Sequence, residues 1–239
     1  MRLLVGCPLV GNPEAGRNWI LDKWYEHLMT AGEKAGVVPE VICNVHPDDA
    51  DTVALLTDLK VTFFYSVFTG RDGDHRWSND RYYEMVNLRN ELLGEVRNLS
   101  PDYFFSLDSD VLLHPDGIKT LLSAVEEKPD AWAIGSKCFV SRHSTLHPNM
   151  GKWVGPHRGT MFKRENLNQL VKVDILIGGY LMTRNAYAID YVYNRRGEDL
   201  GWSLEIQKAG GTLYWDGRVC NKHVMHPAML NGVDKRVGF

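Results

Sequence analysis

Two aspartates separated by one serine, Asp108 and Asp110, close an apolar run from Tyr103 to Leu107. In extended backbone, residues i and i+2 face the same way at roughly 6 to 7 Å, so both carboxylates can aim at one point while Ser109 points elsewhere. At an effective dielectric of ~20, two bare anions at that spacing repel by about 2 to 3 kcal/mol, which calls for a cation nearby. Hard oxygen donors at the carboxyl edge of an open sheet suit a divalent metal. The plainer reading is a turn in which Asp makes local Asx hydrogen bonds. A second acidic pair, Glu198 and Asp199, opens a predicted helix, where each carboxylate gains ~0.3 to 1 kcal/mol from the helix dipole. Asp199 could act as a general base if a substrate hydroxyl comes within hydrogen-bond reach, or both could simply cap the helix. His223 and His226 follow a predicted strand and turn; an imidazole can complete a carboxylate metal site and accommodates Mn²⁺. Arg81, Arg89 and Arg184 carry the forked donors that suit phosphate oxygens, unless they are solvated surface.

The elements that must position these residues alternate. Leu3 to Leu9 reads as a buried strand, followed by a turn with Asn12 as N-cap and Pro13 in the first helical position. A helix over Glu14 to about Lys34 places Trp19, Ile20, Trp24, Leu28 and Ala31 on or near one face, and Gly36 ends it. Val37 to Val45 reads as a strand, Asp48 to Asp58 as a helix and Val61 to Phe68 as a strand. Thr69 to Asp80 is a polar loop, Tyr82 to Leu99 a long helix, and Tyr103 to Leu107 the strand that delivers the aspartates. Beyond them come a helix over Pro115 to Glu127, a strand over Ala131 to Val140 and an irregular segment from Ser141 to Glu165. Val173 to Thr183 resumes strand character, with Gly178 and Gly179 allowing a kink or close backbone approach. Asn185 to Tyr193 and Glu198 to Ala209 read as helices, and Thr212 to Trp215 as a strand. Strands alternating with helices predict an α/β fold, a mostly parallel central sheet flanked by helices in a single domain.

Composition sets limits. A chain of 239 residues, 44% apolar and 24% charged, suffices for one α/β domain with a full core. Its net charge of -3 excludes a globally basic nucleic-acid binder. Cys7, Cys43, Cys138 and Cys220 are scattered with no CxxC pair, which argues against a zinc knuckle and for reduced, buried thiols in a cytoplasmic protein. The opening MRLLVGCPLVGNP is broken too soon by Gly and Pro for a signal peptide, and no later segment reaches the ~18 apolar residues of a membrane span.

In order along the chain, RLLVGCPL, LRNELL, YFFSLDSDVLL, IGGYLMTR, GEDLGWSLEIQKAGGTLYWD and the late His223 resemble the GT-A glycosyltransferases, members of family 2 in particular. The resemblance spans nearly the whole chain except residues 141–165. It implies a GT-A-like, Rossmann-like fold and transfer of a sugar from a nucleotide sugar, a uridine diphosphate sugar by the same resemblance, to an acceptor hydroxyl; Asp199 as base opposite the leaving group predicts inversion, and retention stays open if Asp199 instead binds the acceptor. It further implies that Asp108 contacts ribose or metal, that Asp110 and His223 hold Mn²⁺ or Mg²⁺ with His226 as second choice, and that Asp199, beside Glu198, is the base. Pro8, Val10 and Asn12 would line the nucleotide pocket together with Arg81, Arg89, Ser109, Gly178 and Gly179. Residues 1–110 would form the nucleotide-sugar half and residues 111–239 the acceptor half.

The acceptor is read from the segment Ser141 to Arg164, which is basic and aromatic: Lys152, Trp153, Arg158 and Lys163 would either track a polyanion such as DNA with hydroxylated bases or close as a lid over donor phosphates. Saccharide and protein acceptors are the other readings. Two alternatives compete with the glycosyltransferase. A nucleotidyltransferase would share the sheet and the metal, although no Gly-rich phosphate loop follows the first strand. A carbohydrate- or nucleic-acid-binding module would neither release nucleotide nor require Mn²⁺.

Overall fold

Seven consecutive buried residues, Leu3–Leu9 (β1), require a strand covered on both faces. The structure, a computed structural model, describes residues 1–9, 18–68, 79–142, 145–153, 159–161 and 168–224. After β1 come α1 (Asn18–Ala35), β2 (Glu40–Val45), α2 (Ala50–Asp58), β3 (Thr62–Tyr65), α3 (Asn79–Leu99), β4 (Tyr103–Ser106), β5 (Val111–Leu112) and α4 (Gly117–Glu127). The second half holds β6 (Ala131–Arg142), β7 (Thr145–Pro148), β8 (Met150–Trp153), β9 (Gly159–Met161), β10 (Leu170–Val173), β11 (Ile175–Leu176), β12 (Tyr180–Met182), α5 (Arg184–Tyr187), α6 (Glu198–Lys208) and β13 (Thr212–His223).

The main sheet runs β10-β13-β6-β12-β4-β1-β2-β3. β4, β1, β2 and β3 are mutually parallel, β13 is parallel to β6, and β12 runs antiparallel to both of its neighbours. This is the expected Rossmann-like single domain. Period-two alternation divides each strand between two cores. Leu3, Val5, Cys7 and Leu9 of β1 and Phe105 of β4 join Ile20, Trp24, Leu28 and Ala31 of α1 on one face. Leu4 and Phe104 face the other way, with Leu92, Leu93 and Val96 of α3 and Trp202 and Ile206 of α6.

Four local expectations need correction. Residues 141–165 are not one irregular segment, since β7 pairs with β6 while β8, β9 and β11 form a small three-stranded sheet. These strands are short and rich in Gly, Pro and His, so no alternating pattern marks them. The expected strand over Val173 to Thr183 is broken into the end of β10, β11 and β12. Gly178 and Gly179 lie at φ +52° and +60°, outside extended backbone. The helix expected to reach Tyr193 stops at Tyr187, whose hydroxyl donates to the Pro101 carbonyl, and Asn90 pins the backbone N–H and C=O of Tyr191. β13 continues past Trp215 to His223 through a register shift between Asp216 and Cys220. The Asn12-Pro13 turn lies outside the described residues, as does most of the loop expected at residues 69–80; its last two residues begin α3. The four cysteines carry free thiols, and no described helix is long and apolar enough to cross a membrane.

Candidate functional site

β4 ends at Ser106, opposite Gly6 of β1, and the chain then turns through Asp108, Ser109 and Asp110, the turn closed by the Val111 N–H on the Asp108 carbonyl at 3.0 Å. β5 immediately pairs with the far end of β13, Val111 opposite His223. The Val224 N–H donates to the Asp110 carbonyl at 2.7 Å. That pairing brings His223 Nε2 to 3.2 Å from Asp110 Oδ2, with the side chains 15% and 12% exposed. The pair forms a lip at the carboxyl edge of the sheet.

Behind the lip lies a buried polar centre built on Arg89 of α3, which is 4% exposed. Its Nε donates to Glu198 Oε1 (3.1 Å), Nη1 to Ser106 Oγ (3.1 Å) and Nη2 to Asp108 Oδ1 (3.0 Å). The guanidinium also sits 5.5 Å from the Tyr191 ring centroid. Burial opposes its charge, but the Asp108, Asp199 and Glu198 carboxylates outweigh burial and hold it more firmly protonated than in water. Arg89 therefore spends its donors on protein acceptors.

Asp199, on the first turn of α6, is 6% exposed. Its Oδ2 accepts from the Gly178 N–H (2.9 Å) and its Oδ1 from the Tyr180 hydroxyl (2.6 Å). With the Tyr180 proton directed there, the Tyr191 hydroxyl, 2.6 Å from the Tyr180 oxygen, is the donor of that next bond. Both phenol rings stack on Trp202, at centroid distances of 4.8 and 5.6 Å. Burial raises both phenol pKa values, so they stay neutral donors. Burial also pushes Asp199 up, against the pull of Arg89. Glu198 is raised to about 7, by burial first and by the charge of Asp199 second. Three carboxylates thus face one guanidinium.

The other expected residues are distributed as follows. Pro8 lies on β1 opposite Asn44 of β2, and Ser109 is buried in the aspartate turn. Gly178 and Gly179 form the turn before β12, where a Cβ at 178 would stand 3.2 Å from Asp108 Oδ2. Arg81 is half-buried near the start of α3. Arg184 begins α5 beyond Met182, which pairs with Phe104, so it lies toward the opposite edge of the sheet from Asp108. Lys152 is exposed on β8, and the Trp153 N–H donates to Asp174 Oδ2 at 2.9 Å. Val10, Asn12, Arg158, Lys163 and His226 lie outside the described residues.

Asn149, between β7 and β8, was invisible to sequence reasoning. Its Oδ1 accepts from the Cys138 N–H (2.9 Å) and Trp215 Nε1 (3.0 Å), and its Nδ2 donates to the carbonyls of Ser136 (2.9 Å), Ile177 (2.8 Å) and Gly178 (3.1 Å). A single Asn after a Pro carries no signal for such a hub. As to a metal, Asp110 and His223 supply one oxygen and one nitrogen donor face to face, which fits a hard or borderline divalent cation. Asp108 is turned toward Arg89, and no group of three potential ligands converges among the described residues.

Neither a protein-family model nor a curated protein sequence matches the chain. Among solved structures, it is similar to CMP:2-keto-3-deoxy-manno-octonic acid synthetase complexed with CTP, at 15% identity and a TM-score of 0.53, covering 96% of this chain and 95% of that one. It also matches apo-UDP-glucose pyrophosphorylase at 12% identity and a TM-score of 0.49, with 90% of each chain covered. The first likeness establishes a Rossmann-like fold shared along nearly the full length. It also corrects the main functional expectation: the similar structure is a CTP-bound synthetase, so transfer of a sugar from a uridine diphosphate sugar is not carried forward, and the family 2 assignment has no matching family model behind it.

Proposed function

We propose that the chain is a nucleotidyltransferase that moves a nucleoside monophosphate from a nucleoside triphosphate to an acceptor oxygen that is already ionised. That oxygen, from a carboxylate or a phosphate, attacks the α-phosphorus; the bond from the α-phosphorus to the bridging oxygen breaks, and pyrophosphate leaves with the electron pair. The observation that carries this reading is the engagement of Asp199, whose two oxygens both accept hydrogen bonds in a buried setting, while Glu198 is held by Arg89. A neutral hydroxyl would need a base placed to take its proton. An anionic nucleophile needs none, so an acidic pair committed to holding the site together suits it.

The carboxylate excess of the centre repels a triphosphate, so the reading also requires a cation at the lip. Asp110 and His223 would hold Mn²⁺ or Mg²⁺, and the ion would neutralise charge on the phosphates and on departing pyrophosphate. Asp108, fixed by Arg89, borders the same space. Residues 1–110 would bind the nucleotide and residues 111–239 the acceptor. The likeness to a CTP-bound synthetase supports a nucleotide on this fold.

The test incubates the full chain with each of the four ribonucleoside triphosphates, Mg²⁺ or Mn²⁺, and a panel of sugar acids and sugar phosphates, reading pyrophosphate. Release that requires triphosphate, acceptor and metal together is the expected result. Absence of pyrophosphate from every combination overturns the reading, and a non-catalytic binding module would give that outcome.

A further inference from the structure

The turn at Ile177, Gly178 and Gly179 is held at five of its six backbone polar groups. The Ile177 N–H donates to the Asn149 carbonyl (3.0 Å), and the Ile177 and Gly178 carbonyls accept from Asn149 Nδ2 (2.8 and 3.1 Å). The Gly178 N–H donates to Asp199 (2.9 Å). The Gly179 carbonyl accepts from both the N–H (3.0 Å) and the hydroxyl (3.1 Å) of Ser136. The sixth group, the Gly179 N–H, has no partner among the described residues, although Gly179 is buried. Buried backbone N–H groups without a partner are rare and call for an explanation.

The surroundings supply one. The turn approaches Asp108 so closely that a Cβ on Gly178 would stand 3.2 Å from Asp108 Oδ2. Asn149 holds the turn from the β6 side and Asp199 from α6, and Asn149 is itself fixed at Oδ1 by the Cys138 N–H and the Trp215 indole. We propose that Asn149 is a positioning residue which, with Asp199, presents the Gly179 N–H as a hydrogen-bond donor to an anionic oxygen of a substrate bound beside Asp108. A donor fixed in advance costs no reorganisation when charge arrives, and two left-handed glycines give the backbone that approach without a side chain in the way. The inference rests on the nucleotidyl-transfer reading for the identity of the ligand. The anionic oxygen belongs either to the triphosphate or to the acceptor, and the test separates the two.

Amide NMR of the full chain follows Gly179 during titration with CTP and Mg²⁺ alone, and with glucose 1-phosphate alone. The expected result is a downfield shift of the Gly179 amide proton with one of the two, which identifies the source of the oxygen. Asn149→Asp keeps the acceptor for Cys138 and Trp215 but sets a carboxylate against three carbonyls. In it, exchange protection of Ile177 and Gly178 should fall by about tenfold and recover in part as the new carboxyl takes a proton at low pH, while β1 and β4 keep wild-type protection. Asn149→Ala should show the loss without the recovery. The ligand-induced shift should shrink in both variants, and kcat for pyrophosphate release should fall by about tenfold or more with KM for CTP little changed. A Gly179 amide that stays unmoved while a probe binds overturns the donor role, and so does failure of both probes to bind. Equal loss of protection in β1 and β4 reduces Asn149 to a general stabilising residue and overturns the positioning role. A moved Gly179 amide with no pyrophosphate from any acceptor leaves the donor standing and defeats only the nucleotidyl-transfer reading.

Discussion

The buried centre around Arg89 and the lip formed by Asp110 and His223 are adjacent, yet they are built on opposite terms. In the centre, guanidinium, carboxylates, phenols and turn backbone are tied to one another at distances of 2.6 to 3.1 Å, with Trp202 packed against the phenols. At the lip, a carboxylate and an imidazole meet at 3.2 Å on the ends of β5 and β13. Buried, connected polar networks fix geometry and penalise any change of partner. A carboxylate and an imidazole facing each other at a sheet edge can both turn to a cation. The division assigns positioning to the centre and ligand binding to the lip.

The sharpest way to break that division is to remove its cation. Arg89→Met leaves the buried Glu198 and Asp199 without their cation, beside a partly exposed Asp108, and should cost about 3 to 5 kcal/mol, read as a lowered urea midpoint. A loss below about 1 kcal/mol would mean that the centre is not the structural hub its bonds suggest. Next comes Gly178→Ala, which combines φ +52° with a Cβ 3.2 Å from Asp108 Oδ2. A cost of about 1 to 3 kcal/mol is expected, checked by thermal unfolding.

How much of this was legible before the structure varies with the kind of signal. β1 and β4 are buried on both faces, so a continuous apolar run marks them, and α6 is framed by an acidic first turn and a Gly-Gly stop. Asp108, Asp110 and His223 read together as ligands of one metal; Asp110 and His223 do meet at 3.2 Å, while Asp108 is turned toward Arg89. The interior bonds were not legible, because Arg89 reads equally well as a phosphate fork and as the partner of Glu198, which is 109 positions away. The break between Leu176 and Tyr180 depends on Asn149 and Asp199, and contacts of that range leave no local pattern.

A smaller effect sharpens the comparison through pH. Glu198 is raised from 4.5 to about 7, so between those values the folded state binds more protons at this site than the unfolded state. Its contribution is fully present below the unfolded value and is lost as pH rises through about 7. Glu198→Gln keeps an oxygen for Arg89 Nε and removes the charge. The difference in unfolding free energy, variant minus wild type, should therefore grow as pH rises from about 4.5 to about 7 and level off above. A difference independent of pH would place the titration elsewhere. Smallest of all should be the stability change at the lip, about 1 kcal/mol or less for Asp110→Asn by calorimetry, since Asn keeps a side-chain oxygen facing His223 Nε2.

The most direct test follows from that contrast: Mn²⁺ titrated into the wild type, Asp110→Asn, His223→Gln and Glu198→Gln, with free ion read by electron paramagnetic resonance. One bound Mn²⁺ in the wild type, weakened by about tenfold or more in the two lip variants and kept within a few-fold in Glu198→Gln, is the expected result. Retention of wild-type affinity by both lip variants, with loss in Glu198→Gln, would contradict it by placing the cation in the buried centre.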